Sequence, residues 1–273
     1  MKVDDKPTPV LDADPEFLRE EIVRLGPWHY ELEVTPEVST RAFLDAPEGT
    51  YPDWFDRISF IPNFEESFTR TLRRVYPEGL VGRSMLDCAC NCGAYLFVAK
   101  DFGAGECFGS DVREHWIEQA RFLSKYRTRP AGGIEFRVCD LYELPKLGLT
   151  PFDITFFGGI FYHLPDPVSG LKIAADLTRE LLIVNTATRN GYPDGMLVVG
   201  EESKERLLSG IHGLNWFPTG PDVLARILRW LDFPEVRLHW HVPHPPNQPA
   251  DTGRLQLFAA RDKGTFEAFD RSR

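Results

Sequence analysis

One stretch constrains this chain more than any other: Ser84-Met-Leu-Asp-Cys-Ala-Cys-Asn-Cys-Gly-Ala-Tyr-Leu-Phe97. An apolar run ends in an acid, passes through small residues and opens into a helix-like segment. Asp111 follows Asp87 by 24 residues, at the end of a second apolar run, Cys107-Phe-Gly-Ser-Asp111. Strand, tight loop, helix and a strand ending in a carboxylate predict the nucleotide-binding half of a doubly wound α/β sheet. Small residues in the loop let a ligand approach the backbone. The second carboxylate can accept from both ribose hydroxyls.

The alternation continues after this unit. Strands are predicted at Ser84–Cys88, Glu106–Ser110, Ile134–Val138, Phe152–Phe157 and Glu180–Asn185. Phe152–Phe157 is nearly all apolar, as a central parallel strand should be. Helices are predicted near Gly93–Phe102, near Arg113–Tyr126, from Pro167 behind the Asp166 cap, and over Pro221–Leu231. Val236–Val242 and Leu255–Arg261 read as two late strands. The expected fold is therefore α/β: a doubly wound, mostly parallel seven-stranded sheet with an antiparallel C-terminal hairpin, plus an N-terminal extension.

Residues 1–83 do not alternate in this way and are expected as an extension or lid contributing to the acceptor pocket. Gly26–Val34 reads as a strand within it. Residues 84–262 are the expected main domain. Residues 187–220 are an insertion with loop composition, a short helical piece and then Leu214-Asn-Trp-Phe-Pro-Thr-Gly220. Long irregular insertions at the carboxyl end of a strand are usually functional. Residues 263–273 are expected as a solvated tail.

The 273 residues are 42% hydrophobic, enough for a sizeable core, and carry a formal charge of −10. That balance argues against a large non-specific nucleic-acid surface. No apolar run reaches the roughly 18 to 20 residues of a membrane span, and the first residues lack the apolar core of a signal peptide, so a cytoplasmic location is expected. Cys88, Cys90 and Cys92 alternate in one loop. No second Cys-x-x-Cys knuckle exists for zinc, so they read as small fillers and no metal is expected. His239 and His241 share one strand face, a spacing that can ligate a metal but more often is merely polar.

The loop also narrows the ligand. A dinucleotide site wants G-x-G-x-x-G, and the matching positions here are Ala89, Asn91 and Gly93. With one glycine, the loop is poorly built for a pyrophosphate. A nicotinamide-dependent oxidoreductase thus becomes an alternative rather than the first reading. Asp140 and Leu141 after the third strand can accept from an adenine amino group and cover its ring. Gly158 and Gly159 at the end of the fourth strand allow close ligand approach.

Asp87-Cys-Ala-Cys-Asn-Cys-Gly93, Asp111, Asp140 and Phe161-Tyr-His-Leu-Pro-Asp-Pro167 together resemble the Rossmann-like (class I) S-adenosylmethionine-dependent methyltransferases over about residues 84–186. A narrower resemblance ties Asn215-Trp-Phe-Pro-Thr-Gly-Pro-Asp-Val-Leu224, Trp230–Arg237 and Gly26-Pro-Trp-His-Tyr-Glu-Leu to the tRNA wobble-uridine (carboxy)methyltransferase group and its small-molecule relatives. The resemblance implies S-adenosyl-L-methionine as cofactor, with S-adenosyl-L-homocysteine as product. It implies cofactor contacts from Asp87, Ala89, Cys90, Asn91, Gly93, Asp111, Val112, Asp140, Leu141 and Gly158.

Methyl transfer from a sulfonium is an in-line displacement, and a hydroxyl acceptor must also lose a proton. His163 is the first candidate for that base and His29 the second. Tyr162, Trp216 and Trp54 are expected to wall the acceptor pocket. A small-molecule acceptor in biosynthesis, O-methylated, is expected ahead of tRNA. No membrane partner is expected, and a homodimer is left open.

Overall fold

The computed structural model describes residues 13–52, 60–129, 131–244 and 251–272. In chain order these form α1 (Pro15–Leu25), β1 (Glu33–Thr35), β2 (Val38–Ser39), α2 (Phe64–Arg73), β3 (Met85–Asp87), α3 (Ala94–Asp101), β4 (Cys107–Asp111), α4 (Glu114–Tyr126), β5 (Ile134–Val138) and β6 (Phe152–Gly158). Then come α5 (Pro167–Asp176), β7 (Thr178–Arg189), β8 (Leu197–Glu201), β9 (Leu214–Pro218), α6 (Pro221–Trp230), β10 (Glu235–Val242), β11 (Thr252–Ala260) and α7 (Glu267–Arg271). The main sheet has seven strands in the order β10-β11-β7-β6-β3-β4-β5. β3 with β6, β6 with β7, and β4 with β5 run parallel; β7 with β11 and β11 with β10 run antiparallel. The predicted fold class holds, including the terminal hairpin at the sheet edge.

The chain divides into two compact units, Met1–Ser84 with Cys90–Val138, and Met85–Ala89 with Cys139–Arg273. The N-terminal segment falls in the same unit as most of the loop after β3. Burial alternates from Trp28 through Tyr30 and Leu32 to Val34, as the strand reading required. Yet only Glu33–Thr35 pairs as a strand, with Val38–Ser39. The backbone before it is satisfied differently: Ile61 N–H donates to His29 O (2.8 Å), and the Thr40 hydroxyl donates to Tyr30 O (2.7 Å). Gln119 of α4 ties down the start of this segment, donating to Leu25 O (2.8 Å) and Pro27 O (2.9 Å).

A charged knot completes that unit. The Arg127 side chain is fully buried and donates to both carboxylate oxygens of Asp101 (2.9 and 2.6 Å), to Glu65 (2.6 Å) and to Glu33 O (3.1 Å). It joins β1, α2 and α3 through the residue that follows α4. A buried guanidinium persists only when its fork is filled, as this one is.

In the second unit, β6, β7 and β11 form the core. Ile154, Phe156, Phe157, Leu181, Leu182, Val184, Leu257 and Phe258 are all at most 1% exposed. Two expectations need correction here. The insertion holds an antiparallel ribbon, with Leu197–Glu201 paired to Leu214–Pro218, and among the described residues 187–220 no helix forms. The supposed tail folds into a short 3-10 turn and α7, because Phe266 and Phe269 have a hydrophobic face to bury, at 0% and 2% exposure. No described helix is long and apolar enough to cross a membrane.

Candidate functional site

The first unit builds a tight loop mainly from backbone. Cys90 N–H donates to Ser110 O (2.8 Å), Asn91 takes a left-handed conformation (φ 51°), and the Asn91 side chain accepts from Cys92 N–H (2.7 Å). Gly93 (φ 80°) caps the start of α3; a Cβ there would lie 2.4 Å from the Phe136 ring. Glycine is therefore required for both conformation and space. Cys90 fills the gap above Gly109, where a Cβ would lie 2.9 Å from its sulfur. The five cysteines are free thiols, and no described cluster of three His, Cys, Asp or Glu could hold a metal. Burial pushes the Cys88 thiol well up, with the Asp87 charge adding to it, so it stays protonated.

Asp111 ends β4 in the loop's grasp. Its two oxygens accept from Asn91 N–H and Arg113 N–H, both at 3.0 Å. Burial pushes its carboxyl up to about 6, against the pull of those backbone donors and of the Arg113 charge. The Val112 N–H also bonds it, and because a carboxylate offers about four lone-pair sites, these donors leave it room to accept from a hydroxyl. The apolar residues beside it are left open: Val112 is 39% exposed, and Val138, its register neighbour Asp111's partner on β5, is 37% exposed. A diol acceptor flanked by open apolar surface fits the ribose and base of a nucleoside.

The second unit supplies a different set. Asp87 is fully buried at the end of β3, and Cys88 N–H donates to Phe156 O (3.2 Å). Asp140 caps a 3-10 turn, accepting from Tyr142 N–H (2.9 Å), and its other oxygen lies 3.8 Å from His212 Nε2. Leu141 is buried beside it. Gly158 ends β6, and a Cβ there would strike the Phe156 ring at 2.0 Å. A second 3-10 turn, Phe161–His163, presents Tyr162 and His163.

His163 Nδ1 lies 2.8 and 2.9 Å from the two carboxylate oxygens of Glu202, and Gly210 N–H approaches the same nitrogen at 3.1 Å. Nε2 has no partner among the described residues. A carboxylate holding one ring nitrogen leaves the other as a proton acceptor. The Tyr162 ring stacks on Phe217 at 5.6 Å, Arg189 lies 4.4 Å over the far ring, and Asn215 donates to Tyr162 O (3.2 Å).

Asn91, Gly93, Cys90, Asp111 and Val112 are thus brought together in the first unit. Ala89 precedes that loop in the second. Trp216 is not brought to Tyr162: side chains alternate along a strand, and its neighbours Asn215 and Phe217 are the ones that reach the turn. His29 packs edge-on against Tyr30, at 4.4 Å, in the first unit, whereas His163 belongs to the second. Trp54 lies outside the described residues. Sequence reading missed Glu202, Gly210 and Phe217. The glycine-punctuated insertion was the one available signal, and it did not say which side chain would meet His163.

Residues 86–180 match the family model described as "Methyltransferase domain". The match covers about a third of the chain and, with the sheet order and the acid-ended strands, likens this region to the class I S-adenosylmethionine-dependent methyltransferases. Within that class, the chain is similar to curated proteins named tRNA U34 carboxymethyltransferase. One from Campylobacter hominis is 34% identical over 93 residues, 34% of this chain and 31% of that protein. One from Ectopseudomonas mendocina is 29% identical over 168 residues, 60% of this chain and 49% of that protein. The chain therefore matches between about a third and a half of the length of these relatives. Among solved structures, the N-terminal domain of EvdMO1 in the presence of SAH and D-fucose superposes with a TM-score of 0.68 and 17% identity, over 92% of this chain and 97% of that one. Magnesium protoporphyrin IX methyltransferase from Synechocystis PCC 6803 with bound SAM gives 0.50 and 14%, over 72% and 79%. At these identities the likeness is one of fold.

Proposed function

We propose that this chain binds S-adenosylmethionine and methylates a hydroxyl of a small-molecule acceptor in a biosynthetic reaction. When bound, the cofactor supplies an electrophilic methyl group on its sulfonium. Asp111 receives the ribose hydroxyls, Val112 and Leu141 cover the adenine, and Asp140 accepts from its amino group. Asp87 supports the loop at the amino-acid end, and Gly158 clears space for it. His163 takes the acceptor's proton on Nε2. Tyr162 and Phe217 wall the acceptor pocket.

The observation that carries this reading is the open Nε2 of His163 with Nδ1 held by a carboxylate. A proton acceptor so arranged suits a hydroxyl, which must be deprotonated as it is methylated. The formal charge of −10 suits a small acceptor better than a polyanion.

A second reading, a tRNA-modifying enzyme using a carboxylated cofactor, is favoured by the names of the curated relatives. S-adenosylmethionine labelled in its methyl group and its carboxylated analogue labelled in the carboxymethyl group, each incubated separately with a small-molecule extract and with bulk tRNA, distinguish the two. The proposal expects label in the small-molecule fraction. Label in tRNA alone overturns it. Calorimetry with S-adenosylhomocysteine and its carboxylated analogue tests the cofactor, and absence of binding to either overturns the whole reading.

A further inference from the structure

Two groups converge on His163 Nδ1, and one nitrogen cannot satisfy both. The Glu202 carboxylate, at 2.8 and 2.9 Å, accepts only and requires a proton on Nδ1. The Gly210 N–H, at 3.1 Å, donates only and requires a lone pair there. A hydrogen bond to a charged acceptor is roughly twice as strong as a neutral one, so the carboxylate prevails.

We propose that Glu202 is a positioning residue for methyl transfer: its carboxylate fixes His163 in the Nδ1–H tautomer and thereby keeps Nε2 as the proton acceptor. This rests on the reading of His163 as the base. The two side chains are 14% and 10% exposed, so the contact is sheltered from water that would weaken it. Gly210 makes room for it. A Cβ at that position would lie 2.5 Å from Glu202 Oε1 and 2.8 Å from His163 Cβ. No other charged side chain among the described residues contacts the imidazole. Asp166 is turned to Ser169 N–H (3.1 Å), and His212 faces Asp140.

Removing Glu202 leaves the Gly210 N–H as the remaining partner of Nδ1. The ring then accepts from Gly210, its proton moves to Nε2, and the nitrogen that should accept from the acceptor hydroxyl becomes a donor.

Two-bond ¹H–¹⁵N spectra of the ¹⁵N-histidine-labelled full chain read the tautomer directly. The wild-type protein should show His163 protonated on Nδ1; protonation on Nε2 overturns the proposal before any variant is made. Glu202→Leu should move the proton to Nε2. It should also lower kcat on the acceptor that takes label by roughly a hundred- to ten-thousand-fold, the range for a wrong-tautomer base. Acceptor KM and S-adenosylhomocysteine affinity should stay within about twofold. Glu202→Gln, whose amide oxygen can accept from Nδ1–H, should keep the wild-type tautomer and recover at least about tenfold of the loss. An unchanged tautomer in Glu202→Leu refutes the positioning role. A reversed tautomer with full turnover instead refutes His163 as base and leaves the contact intact.

Discussion

The loop at 88–93 and the ribbon Leu197–Glu201/Leu214–Pro218 do opposite things with sequence. The loop spans six consecutive residues and holds its shape through backbone hydrogen bonds, a left-handed asparagine and one glycine. The ribbon region reaches the turn at Phe161–His163 with side chains 39 to 55 residues away, Glu202, Asn215 and Phe217 among them. Binding a cofactor common to many chains calls for local backbone shape. Binding an acceptor calls for side chains brought from a distance. The first arrangement should therefore control cofactor affinity and the second turnover, and substitutions in each should separate cleanly.

The largest separation is expected at His163. His163→Ala should lower kcat by about a hundred- to ten-thousand-fold, as loss of a general base does. Calorimetry should show S-adenosylhomocysteine binding within about twofold of wild type. An equal loss in both measurements would mean that the two regions do not divide the work.

Asp111→Ala makes the converse test. Losing two hydrogen bonds from hydroxyls to a charged acceptor should weaken S-adenosylhomocysteine by roughly a hundredfold or more. The same residue sets a pH dependence. Burial raises its carboxyl to about 6, so a proton is bound more tightly in the folded chain than in the unfolded one. The stability this confers is complete below the ordinary carboxylate range, near 4, and is lost as pH rises through about 6. Cofactor binding runs the other way, because only the ionised carboxylate has lone pairs for both hydroxyls. Affinity for S-adenosylhomocysteine should fall about tenfold per pH unit well below 6, with proton release on binding near pH 6. In Asp111→Asn the pH-dependent part of the affinity should vanish. Its Tm at pH 8 should be no lower than wild type, since a buried charge has been removed. A large drop in Tm at pH 8 would mean that the charge stabilises the loop.

Much of the first region was legible because its cues are local. β3, α3, β4 and β5 lie within about a residue of their predicted bounds, and the single glycine among Ala89, Asn91 and Gly93 weakens the pyrophosphate reading from sequence alone. The ribbon was not legible. Leu197-Val-Val-Gly-Glu201 and Leu214-Asn-Trp-Phe-Pro218 have strand composition, but their pairing spans a stretch rich in charge and glycine that local patterns read as loop or helix. Trp216 reads from sequence as a pocket wall, although side-chain alternation turns it away from Tyr162. The C-terminal segment was misjudged because its apolar residues, Phe266 and Phe269, are few and find their burial only against distant elements.

The smallest predicted effect tests the alternation along β9. Phe217 stacks on Tyr162, and strand alternation turns Trp216 to the other side of β9. Phe217→Ala should therefore raise acceptor KM by several-fold, in keeping with the roughly 0.5 to 1.5 kcal/mol of an aromatic pair plus the wall it removes. Trp216→Ala should leave KM nearly unchanged and appear instead as lost stability, because its ring is partly buried and its indole Nε1 is shielded from solvent. Chemical denaturation and initial-rate kinetics on the two variants separate these outcomes. If Trp216→Ala raises KM more than Phe217→Ala, the acceptor meets the opposite face of the ribbon, and the pocket has to be rebuilt around Leu214 and Trp216 rather than Asn215 and Phe217.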